Sequence, residues 1–116
     1  IRFGGEEIDV ILPSTDIKGT EVYVNKILNK TRRVHFSYRN EKKIKTTMSA
    51  GLTSCCISMD SSAKKEYVQK EYKSLQKKAD DALYEAKFLG KNRFSIYSPA
   101  RNDEYTRIRS QYTRSR

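Results

Sequence analysis

The sequence predicts an α+β fold, a sheet with helices packed on it. Three observations carry this. Apolar residues alternate at period two in residues 7–12, 34–38 and 44–52, apolar residues recur at helical spacing in two longer stretches, and the elements follow as strand, helix, strand, strand, helix, strand. A length of 116 residues implies one domain, and a 36% hydrophobic content builds a core of modest size.

The elements follow in order. Ile8, Val10 and Leu12 fall on one face of a strand over residues 7–12, which Pro13 ends. Asp16 is suited to N-cap a helix reaching to about Thr31, with Ile17, Val24, Ile27, Leu28 and Thr31 on one side and Gly19 weakening it slightly. Val34, Phe36 and Tyr38 alternate in a second strand, which puts His35 on its open face. Arg39 to Lys42 reads as a hairpin turn, and Ile44, Thr46, Met48, Ala50 and Leu52 alternate on a single return strand. Gly51 within that strand marks a bulge or the close approach of another backbone. Residues 53–62 form a loop. A long helix runs from about Ser62 to Leu89, with Leu75, Ala79, Ala82, Leu83 and Ala86 along one stripe, a highly charged first half, and Gly90 as the residue that closes it. Asp80 and Asp81 read as helix-surface acids or structural contacts, not metal ligands. A last strand covers residues 93–97, and Pro99 marks a boundary.

The tail beyond carries Arg101, Arg107, Arg109, Arg114 and Arg116 against Asp103 and Glu104, with Tyr105 and Tyr112 interleaved. It reads as a disordered end or linker, with nucleic-acid binding as the alternative. A net charge of +10 fits a solvated basic surface or an anionic partner. No apolar run approaches a membrane span, and no signal-peptide pattern leads the chain. The two cysteines, Cys55 and Cys56, are adjacent, which excludes a disulfide framework and a cysteine-rich zinc site. They read as free thiols, and nothing ties the lone His35 to them as a catalytic base.

The chemistry concentrates at the start of the chain, in Arg2-Phe3-Gly4-Gly5-Glu6-Glu7-Ile8. Paired glycines permit a tight hairpin turn and let a bulky ligand approach the backbone. Paired carboxylates at the edge of that turn can hold a hard cation such as Mg²⁺. Together they suit a nucleoside triphosphate and its metal. The plain alternative is two exposed acids at a turn.

This cluster resembles the signature of the GGDEF family, the diguanylate cyclases, which accept Asp or Glu at the third position. Two further segments share the resemblance: Thr47-Met48-Ser49-Ala50-Gly51-Leu52 is similar to the family's central strand, and Ala79 to Arg93 is similar to its A-D-x-A-L-Y-x-A-K-x-x-G-(K/R)-N-R run. The three span Arg2 to about Tyr97.

The resemblance implies a palm-like, ferredoxin-related cyclase fold with an antiparallel-rich sheet, represented by its C-terminal portion over residues 1–98 and followed by a basic tail at 99–116. The missing N-terminal part would hold another strand and helices, a further metal carboxylate, the guanine-reading residues and a product-inhibition site. It also implies an activity: condensation of two GTP into cyclic di-GMP and pyrophosphate, with Mg²⁺ or Mn²⁺, by a homodimer in the cytoplasm. No nucleic acid and no membrane contact are expected of this segment, and alone it is expected to be inactive. By the same resemblance Glu6 is the metal ligand and supports deprotonation of the attacking hydroxyl. Glu7 supports metal or substrate geometry, and Gly4 and Gly5 leave room for the nucleotide. Lys87 and Lys91, four residues apart on one helical face, grip the phosphates. Arg2 is a secondary product contact. Thr47 and Ser49 are candidates to face the site from the central strand. The chain departs from the family at Ile8, where the family has Phe, and carries Lys91 where Arg is frequent. Both departures point to the alternative of a catalytically degenerate module that binds GTP or cyclic di-GMP. A basic nucleic-acid-binding domain is the third alternative.

Overall fold

In chain order the elements are β1 (Arg2–Phe3), β2 (Glu7–Ile8), α1 (Ile17–Arg33), β3 (His35–Tyr38), β4 (Lys42–Lys45), β5 (Ala50–Leu52), α2 (Lys65–Phe88), β6 (Phe94–Ile96), a 3₁₀ turn (Pro99–Arg101) and α3 (Asn102–Arg114). They come from a computed structural model that describes residues 2–3, 7–38, 42–55 and 65–114, with only the backbone described at 2–3, 35–38, 42–45 and 112–114.

Helix α1 begins where the sequence places it. The Asp16 carboxylate accepts a hydrogen bond from Gly19 N at 2.8 Å, satisfying one of the amides that the first turn leaves without a partner. Its buried stripe centres on Leu28, which is 2% exposed, while Val22 and Tyr23 face outward. Burial of a leucine of this kind contributes about 2 kcal/mol.

The sheet departs from the expectation of one antiparallel-rich layer. The return strand predicted over 44–52 is two strands with different partners. β4 pairs antiparallel with β3, Phe36 opposite Ile44, while β5 pairs parallel with β6 in the register Ala50 to Phe94 and Leu52 to Ile96. The described strands therefore form three separate two-stranded ladders, and the one against which α1 and α2 pack is parallel. The physical reason is the connection. α2 carries the chain back across the β5–β6 pair, so β6 re-enters in the same direction as β5, as a helical crossover requires. The strand predicted at 7–12 is likewise short: only Glu7 and Ile8 pair, with β1, and Ile8, Val10 and Ile11 are exposed. The α+β class stands. His35 on its open face lies outside the described side chains.

α2 meets β5 through small residues. Ala82 and Ala86 are fully buried, and the helix backbone at Ala79 and Leu83 lies where a side chain at Gly51 would have to be. Gly51 is thus the site of close backbone approach. The helix closes at Gly90, whose φ is +123°, with Gly90 N donating to Lys87 O at 3.3 Å and Lys91 N to Ala86 O at 3.0 Å. This pair of bonds is a Schellman cap.

Residues 99–114 are not a disordered end or linker but the 3₁₀ turn and α3. α3 folds back on α2, burying Tyr105 and Ile108 at 2% and 3% exposure. The Tyr105 ring stacks on Tyr97 at 5.5 Å, and its hydroxyl accepts from Ser98 N at 2.9 Å. Asp80 and Asp81 on α2 are structural contacts, both paired with Arg109, whose guanidinium lies 4.5 Å from the Tyr84 ring centre. Partial burial disfavours the Arg109 cation, but the hydrogen bonds and charges of Asp81 and Asp80 outweigh it and hold its pKa above the ordinary value. Arg101 pairs with the buried Glu85 at 3.2 Å and donates to Ile96 O. Tyr105→Ala is therefore expected to destabilise the protein by about 3 kcal/mol. Thermal unfolding checks this, and an unchanged midpoint would show that α3 is peripheral to the core.

Candidate active site

The signature and the C-terminal end of α2 come together. The antiparallel register of β1 and β2 places Arg2 opposite Ile8 and Phe3 opposite Glu7. Gly4, Gly5 and Glu6, which connect the two strands in sequence, lie outside the described residues, as does the side chain of Arg2. Glu7 is described: its Oε1 is 3.8 Å from Lys87 Nζ. Both side chains are partly exposed, so the pair contributes less than about 1 kcal/mol to stability. Its weight is positional, since it sets the last carboxylate of the signature beside the lysine of the A-L-Y-x-A-K run.

A second tether holds the same strand to the same helix. Asp9 Oδ2 accepts from the Tyr72 hydroxyl at 3.1 Å and from Gln76 Nε2 at 2.9 Å. Tyr72, Gln76 and Lys87 fall within about 60° of one another around α2, at 100° per residue, so one helix face takes both Asp9 and Glu7. Desolvation, then the hydrogen bond to Asp9 and its charge, push the Tyr72 phenol up from its ordinary value. Sequence reasoning passed over Asp9. The available signal was an acid directly after the apolar Ile8 that ends the signature.

Lys91 does not share a helical face with Lys87. α2 ends at Phe88, and Lys91 and Asn92 adopt left-handed backbone with φ of +63° and +56°. The four-residue spacing held in sequence, but the cap intervenes. Lys91 is exposed. Asn92 instead organises the turn: its Oδ1 and its backbone oxygen accept from Arg32 Nε and Nη2 at 2.7 and 2.8 Å, and its N donates to Ser49 Oγ at 3.2 Å. Asparagine tolerates this backbone better than most residues. Ser49 thus serves the turn, and Thr47 is exposed. Arg32, at the end of α1, was not singled out from sequence, although a basic residue in a last helical turn was visible there.

Among the described residues no group of three or more His, Cys, Asp or Glu could hold a metal ion. Cys55 is exposed and free. No helix among the described residues is long and apolar enough to cross a membrane.

The described residues thus form an α+β domain in which Glu7, two positions after the paired glycines, is set against Lys87 near the end of a long helix, and both belong to segments that carry the resemblance to the GGDEF family. Comparison with known proteins agrees: the family described as diguanylate cyclase, GGDEF domain, matches residues 1–93, and the chain belongs to this family. It is 32% identical over 95 residues to diguanylate cyclase A of Treponema denticola, covering 82% of this chain and 23% of that protein. It is 33% identical over 96 residues to the uncharacterized protein YtrP of Bacillus subtilis, covering 83% of this chain and 14% of that protein. The chain thus spans less than a quarter of the length of each of these relatives. No solved structure matches it.

Proposed function

We propose that the protein is a diguanylate cyclase, condensing two GTP into cyclic di-GMP. The observation that carries this reading is the approach of Glu7 to Lys87, which joins the signature strand to the helix end that in this reading binds the phosphates. In this reading each domain of a homodimer holds one GTP. The 3′-oxygen of one nucleotide attacks the α-phosphorus of the other, the α–β phosphoanhydride bond breaks, and pyrophosphate leaves. Gly4 and Gly5 give the nucleotide room, and Lys87 neutralises the triphosphate with help from Lys91. Glu6 takes the hydroxyl proton and, with substrate oxygens, provides the hard-oxygen donors that Mg²⁺ prefers. When bound, the metal supplies charge neutralisation at the phosphates.

The test is conversion of GTP to cyclic di-GMP, with Mg²⁺, by the full-length protein. Product supports the cyclase. A folded dimer that binds GTP or cyclic di-GMP without turnover supports a binding module instead. The position of Lys91 beyond the helix, together with Ile8 exposed on the signature strand, makes that binding module the second reading. A nucleic-acid-binding role loses support because Arg101 and Arg109 are engaged by Glu85, Asp80 and Asp81. Lys87→Ala is expected to raise the GTP concentration for half-maximal rate by roughly tenfold, the loss of one charge-assisted contact. Unchanged GTP dependence returns Lys87 to an ordinary surface lysine.

A further inference from the structure

We infer that the cleft between α2 and α3 binds a small organic phosphate monoester. The cleft has a volume of about 340 Å³ and is lined by Ser74, Lys77 and Lys78 of α2 and by Asn102 and Thr106 of α3, with Tyr97 and Tyr105 on its aromatic side. That volume lies at the small end of ligand pockets, about 300–1,000 Å³, which suits a single phosphorylated metabolite and not a polymer.

The charge arrangement selects an anion. Lys77 and Lys78 have no carboxylate within ion-pair reach among the described residues. The one acid that lines the cleft, Asp81, is already paired with Arg109. The Lys78 ammonium lies 5.8 Å from the Tyr97 ring centre, on the aromatic side of the cleft. The Tyr97 hydroxyl donates to Asn102 Oδ1 at 3.2 Å, which fixes the Asn102 amide and leaves Nδ2 as a donor. The lining thus supplies two ammonium groups, an amide and the Ser74 hydroxyl as donors to phosphate oxygens, and the tyrosines offer a surface to an attached organic group. Lys78 and Lys87 are nine residues apart on α2, about 14 Å along the axis, so this cleft is separate from the Glu7–Lys87 site. α3 itself lies beyond residues 1–93, which the family covers.

The test is a titration of the isotopically labelled full chain with inorganic phosphate and with glycerol phosphate at constant ionic strength, read as amide chemical shifts. The expected result is saturable shifts at Ser74, Lys77, Asn102 and Thr106 with both probes, tighter with glycerol phosphate. The double variant K77A/K78A weakens binding by roughly tenfold or more, while K70A/K73A, on the same helix outside the cleft, leaves it unchanged. Shifts that rise linearly without saturation, or equal weakening by K70A/K73A, overturn the site and leave only diffuse charge attraction. Binding of inorganic phosphate with exclusion of glycerol phosphate overturns the ester assignment.

Discussion

Gly51→Val is expected to prevent the native fold from forming. The first atom of any side chain at this position meets Ala79 O and Leu83 N inside contact distance and Leu83 Cα at 2.9 Å. All three are backbone atoms of α2, so no side-chain rotation relieves the overlap. The strand must move off the helix, and movement breaks the bonds that hold β5 to its surroundings, Ala50 N to Arg93 O at 3.0 Å and Tyr97 N to Leu52 O at 2.8 Å. Overpacking of a rigid core costs about 1–3 kcal/mol, and a backbone collision that cannot relax exceeds that. Against a total stability of about 5–15 kcal/mol, and with a core of modest size, the native state is lost. Circular dichroism with thermal melting reads this directly. A cooperative transition at the wild-type temperature would mean that α2 does not lie against Gly51.

If the proposed cyclase reading holds, Glu6→Ala is expected to reduce cyclic di-GMP formation by the full-length protein by on the order of a thousandfold, the scale of losing one group that stabilises charge in the transition state. The melting temperature should not change, because the core at Leu28, Leu52, Ala82, Ala86, Tyr105 and Ile108 lies on other elements. Glu6→Asp should retain activity, since the family accepts either acid at this position and the carboxylate is the working group. Product formation and a melt on the same samples separate chemistry from folding. Near-normal turnover by the alanine variant would remove Glu6 from the reaction.

Much of the fold was legible because it depends on local rules. The Asp16 cap, the stripe through Ala82 and Ala86, and the left-handed Gly90 follow from residue type and period within a few positions. Gly51 was legible as a close approach, though not what approaches. Pairing partners were not legible. Alternation over residues 44–52 reports which side chains share a face, but it cannot tell that Lys42–Lys45 joins β3 while Ala50–Leu52 joins β6. α3 was hidden by its composition: Tyr105 and Ile108 are a two-residue stripe in a segment of arginines, and the acids of α2 that pair with Arg109 lie far away in sequence. Of the candidate site, the sequence located Glu7 and Lys87, which the fold brings together. It misplaced Lys91, because residue spacing continues through a helix cap while the helix does not.

The parallel pairing of β5 with β6 has a kinetic consequence. Ala50 and Phe94 meet only after the 24-residue α2 has doubled back between them. Local helix formation takes microseconds or less, whereas this ladder must first close a long loop whose entropy opposes it. The barrier to folding therefore consists of seating α2 on Ala50–Leu52. Substitutions at that contact are therefore expected to slow the approach to the native state.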